Sequence, residues 1–206
     1  MKYIQIALLW TGYCALHSYL ISTGFTNSLV RALKKYYAFY RTFYVLFSLV
    51  LLIPLINYTG QQDPEIIMTD GLALNIVRKV LAAGSLVMFF WAFFFNYDSL
   101  SFFGIRQILN FGKTKTTNPS EEVKKSGLLG IMRHPMYFSL IIYLWCQTYR
   151  LVDIVANTVL TIYVIVGTIL EEKKLVLEFG DTYVKYQQEV PMLIPFTKAK
   201  RNAQTS

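Results

Sequence analysis

The sequence predicts an all-α, polytopic membrane protein. We expect a bundle of about five transmembrane helices, closed by a C-terminal helical hairpin and flanked by cytoplasmic amphipathic helices. Three observations lead there. Of 206 residues, 54% are hydrophobic and only 16% charged, a balance too apolar for an ordinary soluble domain. The apolar residues are gathered into runs that approach the about 20 residues needed to cross a hydrocarbon core. The lysines and arginines favour alternate connections, as cytoplasmic loops do. The length suits one bundle, so 1–206 reads as a single membrane domain: N-terminal helices over 1–126, a distinct region over 127–195 and a polar tail over 196–206.

Residues 3–21 form the first span, interrupted by His17-Ser18 near its end. The stretch 25–38 is basic and aromatic, with Arg31, Lys34 and Lys35, and fits a short amphipathic helix in the interface. The second span, 39–58, is entered through Tyr40-Arg41-Thr42-Phe43-Tyr44, and Pro54 is expected to kink or end it. A polar loop, 59–70, holds Asp63, Glu65 and Asp70 without a basic residue. The third span covers 72–95 and is rich in Phe and Trp. A long polar connection, 96–132, follows; within it 114–125 is loop-like.

The fourth apolar arm, 136–149, has 14 residues, about 21 Å of helix at 1.5 Å per residue. That is too short for a core about 30 Å thick. Pro135 suits the first turn of a helix, where its missing N–H is not needed. A start at Pro135, deep in the membrane, would hold Arg133 and His134 below the surface. Asp153 is the expected N-cap of the fifth span, 154–170, and the helix should continue amphipathically from Glu171. Gly180 is its expected stop, and Asp181 should cap a last helical piece carrying Tyr183 and Tyr186. Cys14 and Cys146 both lie in apolar runs; they read as buried small residues, neither a disulfide framework nor a metal site. The first apolar run lacks a small-residue cleavage site and is expected to be retained.

With five spans and the N-terminus outside, sixteen of the twenty basic residues fall on the cytoplasmic side; only Lys2, Arg78, Lys79 and Arg150 stay outside. That asymmetry predicts a cytoplasmic C-terminus. The net charge of +8 belongs to residues beside apolar runs and to no nucleic-acid motif, so anionic membrane lipids, not nucleic acids, are the expected partners. The same topology gathers His17, Arg41, Asp98, Arg106, Arg133, His134 and Glu171-Glu172 toward the cytoplasmic leaflet. Ionisable groups at that depth are costly and usually functional.

Two separated motifs carry a family likeness. Arg133-His134-Pro135-Met136-Tyr137, then Glu171-Glu172 and Phe179-Gly180-Asp181-x-Tyr183-x-x-Tyr186, resembles the C-terminal signature of the isoprenylcysteine carboxyl methyltransferase family. These are integral-membrane enzymes that use S-adenosylmethionine. In the N-terminal half, Leu16-His17-Ser18, Tyr40-Arg41-x-Phe43-Tyr44 and Asp98-x-x-x-Phe102-x-Gly104-x-Arg106-Gln107 are similar to bacterial members of the wider family. Those include methanethiol S-methyltransferases and NnrU-type proteins. The resemblance implies a bacterial cytoplasmic-membrane methyltransferase whose cofactor pocket lies in 127–195, bordered by Arg133, His134, Pro135, Tyr137, Glu171 and Glu172, with Tyr183 nearby. It implies a small thiol acceptor such as methanethiol, or a lipid-like thiol or carboxylate.

The residue types suit that chemistry. S-adenosylmethionine offers an ammonium, a carboxylate, a sulfonium and an adenine. Arg133, the glutamates and the tyrosines supply an anion partner, ammonium partners and an apolar wall. A thiol with a pKa of about 8.5 is mostly protonated at neutral pH, so a nearby base or cation would help it ionise. His134, His17 and Arg41 are candidates for that catalytic role, and the sequence leaves open which acts. An NADPH-dependent membrane reductase and a non-enzymatic membrane protein that keeps the pocket are the competing readings.

Overall fold

The computed structural model of the chain describes residues 1–62, 66, 71–111, 125–147 and 150–197. Among the described residues it is all-helical. Four helical segments are long and apolar enough to cross a membrane: Lys2–Ile21, Thr23–Gln61, Leu72–Asn96 and Leu151–Phe179; Pro135–Cys146 is a shorter apolar helix. The protein is a multi-pass membrane protein, and its surface agrees. Large apolar side chains such as Ile4, Leu8, Val87 and Phe94 point outward, each more than 60% exposed, whereas Ser48, Ser85, Ser139 and Thr168 are buried. Water would make that arrangement costly; lipid makes it favourable.

The chain divides into two compact units. The first contains α1 (Lys2–Ile21), α2 (Thr23–Leu33), α3 (Tyr40–Gln61), two short helices α5 (Ser99–Phe102) and α6 (Ile105–Leu109), and the beginning of α8 (Leu151–Phe179). Ser22 caps α2 by accepting a hydrogen bond from the Phe25 N–H, and α2 is the amphipathic piece expected after the first span. Ile6 and Trp10 pack on Val152 and Ala156, with Leu52, Leu55 and Tyr58 around them.

The second span outruns its expected end. Pro54 does not terminate α3, which continues to Gln61. Three contacts hold the polar end: Thr59 accepts from Trp10 Nε1 at 3.0 Å, donates to Leu55 O at 2.8 Å, and Arg150 Nη1 donates to Gly60 O at 2.6 Å. These bonds make a helix from residues that read as loop. Asp153 is not the N-cap of α8. It sits in the first turn, and its carboxylate accepts from the Arg150 backbone N–H at 3.1 Å and from the Arg150 guanidinium. This is the back-reaching half of a capping box, with Arg150 at the cap position.

The second unit contains α4 (Leu72–Trp91), which loosens into a π-turn over Ala92–Asn96. It also has a 3₁₀ turn over Gly127–Gly130, α7 (Pro135–Cys146), the rest of α8, and α9 (Asp181–Glu189). Pro135 occupies the first turn of α7, as expected, and the 3₁₀ turn ahead of it keeps the helix from extending backward. Twelve residues make α7 about 18 Å long, so both ends need partners other than water. At the C-terminal end, buried Arg78 donates to Cys146 O at 3.3 Å. At the N-terminal end, the Arg133 and His134 N–H groups donate to Pro191 O (2.9 Å) and Met192 O (3.1 Å). Crossing the membrane uses about 20 residues, so the 29-residue α8 has surplus length; it carries Glu171-Glu172 and runs unbroken to Phe179. Gly180 then reverses the chain at φ +57° and is itself the N-cap of α9; Asp181 is the first helical residue and makes no side-chain cap bond. Cys14 and Cys146 are buried free thiols. Tyr149, most of the loop over 63–70, the loop-like 114–124 and the tail from 198 onward lie outside the described residues.

Candidate active site

The polar centre of the second unit is built on Arg133. No regular element could hold it: His134 adopts φ −125°, ψ 64°, a non-helical geometry suited to the residue before a proline. The Arg133 side chain is thereby turned toward α8 and α9. Its Nε and Nη2 donate to the two oxygens of Glu172 at 2.5 and 2.8 Å, and Nη1 donates to Gln187 O at 3.0 Å and to Val190 O. Four of the five guanidinium N–H groups are used this way. Glu172 also accepts from His134 Nε2 (3.2 Å), Gln187 Nε2 (3.0 Å) and Tyr183 OH (3.4 Å). Arg133, His134 and Glu172 are all at least 92% buried, so the pair is bidentate, desolvated and satisfied on both sides.

The expectation that these opposite charges pair with each other is met by Arg133 and Glu172. Adjacent helical residues point about 100° apart, and Glu171 accordingly diverges. Its side chain is 37% exposed, with Oε2 3.9 Å from His134 Nδ1, and its charge acts on the phenols of Tyr97 and Tyr137. The His134 ring stacks on Tyr137 with centroids 5.5 Å apart. The imidazole is polarised in a defined sense. A carboxylate cannot donate, so Nε2 carries the proton toward Glu172 in the neutral ring. Nδ1 is then a bare acceptor, buried and without a hydrogen-bond partner.

Around this centre, Tyr186 donates to Leu129 O at 2.6 Å and packs with Tyr183 and Val190. Burial pushes the Tyr186 phenol up to about 12. Burial, and then the Glu172 carboxylate, push Tyr183 up as well. Both therefore stay neutral donors at physiological pH. Tyr183 faces the ion pair, and Tyr186 fastens α9 to the 3₁₀ turn.

The remaining predicted residues lie in the first unit. His17 has both ring nitrogens engaged, Nε2 with Tyr44 OH at 2.6 Å and Nδ1 with Ser48 Oγ at 3.2 Å, between α1 and α3. Exposed Arg41 donates from Nε to Phe102 O at 3.2 Å, and Thr42 donates to Phe103 O at 2.8 Å. Gly104, at φ +79°, follows; a Cβ there would lie 2.6 Å from Thr42 Oγ1. Asp98 caps α5 through the Ser101 N–H and pairs with Arg106 at 3.0 Å.

Sequence reasoning missed Gln187 and Tyr97. The signal for Gln187 was its place four residues after Tyr183, on one face of α9. Tyr97 stood at the end of an aromatic run and carried no distinguishing signal.

No family model matches this sequence, and no solved structure matches it. The chain is similar to several curated bacterial proteins. It is 33% identical over 163 residues to methanethiol S-methyltransferase 1 of Bradyrhizobium diazoefficiens, covering 77% of this chain and 55% of that protein. It is 32% identical over 162 residues to the methanethiol S-methyltransferase of Crocosphaera subtropica, covering 78% of this chain and 62% of that protein. The methanethiol S-methyltransferase of Pseudomonas deceptionensis is 34% identical over 112 residues, 53% of this chain and 42% of that protein. The chain thus spans little more than half the length of the first two relatives. These likenesses are consistent with the bacterial, isoprenylcysteine carboxyl methyltransferase-like membrane methyltransferases that the motifs suggested.

Proposed function

We propose that the protein is a membrane methyltransferase that transfers the methyl group of S-adenosylmethionine to a small thiol of the methanethiol kind. We place it in the bacterial cytoplasmic membrane, with its N-terminus outside and its C-terminus in the cytoplasm. One observation carries the site assignment: at the N-terminal end of α7, a buried imidazole nitrogen without a donor stands 3.9 Å from a partly exposed carboxylate. The carboxylate asks for a positively charged donor, which the ammonium of S-adenosylmethionine supplies, so the residues present fit that group; the bare nitrogen beside it is left for the other reactant. The relatives' names, methanethiol S-methyltransferase, support methyl transfer to a small thiol.

In this reading Glu171 holds the ammonium, the Tyr97 and Tyr137 phenols lie beside it, and Pro135 and Tyr137 form the wall. When bound, S-adenosylmethionine supplies an electrophilic methyl group on a sulfonium that is already a good leaving group. The chain positions that group and excludes water. Arg133 and Glu172 act through the others. Together they hold α9 and the 190–192 segment against α7 and fix the orientation of His134. Tyr183 acts with them. His17 and Arg41 are assigned to the acceptor side as positioning groups, His17 by fixing α1 on α3 and Arg41 by holding the turn at Phe102-Phe103.

Thermal unfolding of the detergent-solubilised protein tests the reading. Added S-adenosylmethionine or S-adenosylhomocysteine should raise the midpoint, by mass action on the folded state, and NADPH should not. Stabilisation by NADPH alone would favour a reductase.

A further inference from the structure

The unpartnered nitrogen of His134 has a second consequence. We propose that His134, through Nδ1, is the base that takes the proton of the acceptor thiol. The inference rests on the thiol methyltransferase reading above and adds the group that makes the thiol reactive.

The geometry is that of a carboxylate–imidazole dyad. Glu172 receives Nε2–H at 3.2 Å and is itself held by two Arg133 bonds, Gln187 and Tyr183. That fixes one tautomer and leaves Nδ1 as the basic lone pair. The same carboxylate stabilises the imidazolium that forms when Nδ1 gains a proton, as a buried carboxylate does behind a catalytic histidine. Among the described residues, the ionisable groups around this ring are Arg133, Glu171 and Glu172 on α8, Tyr137 stacked on it and Tyr183 on α9, with the Tyr97 phenol under the influence of Glu171.

The step balances. The S–H bond breaks and its proton goes to Nδ1. The thiol sulfur's electron pair forms the new bond to the methyl group. The methyl's bond to the sulfonium breaks, and that bond's pair stays on the departing sulfur. The proton then reaches water through Glu171, which is 3.9 Å from Nδ1 and 37% exposed. His17 is less suited, since both of its ring nitrogens are engaged, and Arg41 carries no basic pair.

The test compares two acceptors with the full-length protein in detergent: ethanethiol, mostly protonated at neutral pH, and 4-nitrothiophenol, ionised at the assay pH. His134→Gln keeps a donor at the position of Nε2 for Glu172 and removes the base. It should lower kcat/KM for ethanethiol by roughly 10²–10⁴-fold, the usual contribution of a general base. The loss for 4-nitrothiophenol should be much smaller, since any change in cofactor binding acts on both thiols alike. An equal loss with both thiols overturns the base role alone. Wild-type protein that methylates neither thiol overturns both readings. A further readout needs neither turnover nor a folded variant. Ethanethiol added to wild-type protein with S-adenosylhomocysteine should show thiolate ultraviolet absorbance at a pH where the free thiol shows none. Binding as the protonated thiol overturns the proposal.

Discussion

Glu172→Gln removes one negative charge from a point where five hydrogen bonds converge: two from Arg133 and one each from His134, Tyr183 and Gln187. A glutamine side chain fills the same volume. It still accepts at one oxygen, but it places an NH₂ against donors that formerly met a carboxylate. The Arg133 guanidinium, on a residue only 8% exposed, then has no counter-charge. Breaking one side of a buried ion pair costs about 3–5 kcal/mol. At roughly 2–4 °C per kcal/mol for a chain of this size, the midpoint should fall by on the order of 10 °C. Glu171→Gln behaves oppositely. Stability should move by no more than about 0.5 kcal/mol, as for surface substitutions, while S-adenosylmethionine binding should weaken by about 1.5–3 kcal/mol, the worth of a charge-assisted hydrogen bond. Thermal unfolding and calorimetric titration of both variants provide the comparison. A Glu172→Gln protein as stable as wild type, or one that loses cofactor affinity with stability intact, would refute the division of labour between the two glutamates.

Tyr186→Phe should destabilise by about 1–3 kcal/mol, because a buried Leu129 carbonyl loses its donor; chemical denaturation of the two proteins would measure it. Gly104→Ala should unfold at lower temperature, since its Cβ would stand 2.6 Å from Thr42 Oγ1 at a left-handed φ; an unchanged midpoint would remove the argument from close approach. Replacing Arg41 and His17 together by alanine should raise the thiol KM while leaving S-adenosylhomocysteine affinity within twofold (roughly 0.4 kcal/mol). A cysteine at Thr197 should be protected from impermeant reagent in intact cells and react in inverted vesicles; labelling from outside would reverse the topology.

Hydropathy made the spans legible because lipid demands continuous apolar runs and little else does. The short arm was legible too: Pro135 marks its start, and Arg133 and His134 just ahead of it are buried. The stop at Gly180 followed from the backbone freedom of glycine, and the structure uses it at φ +57°. What failed were positions decided by partners far along the chain. The end of α3 depends on Trp10 and Arg150, 49 and 90 residues away from the groups they hold. The pairing of Arg133 with a glutamate followed from charge, but the choice of Glu172 depends on where α9 packs. Two of the Arg133 acceptors are backbone carbonyls, of Gln187 and Val190, which no side-chain pattern announces. The bare Nδ1 of His134 is a tautomer set by that choice, so it became visible only with the pairing.

The most direct measurement is transfer itself. Purified full-length protein in detergent, given methanethiol and S-adenosylmethionine labelled in its methyl group, should release labelled dimethyl sulfide into the headspace, together with S-adenosylhomocysteine in equal amount. Release should fall sharply in the Glu171→Gln and His134→Gln variants. Absence of labelled dimethyl sulfide from wild-type protein that binds S-adenosylmethionine, or release from either variant at the wild-type level, would contradict the account.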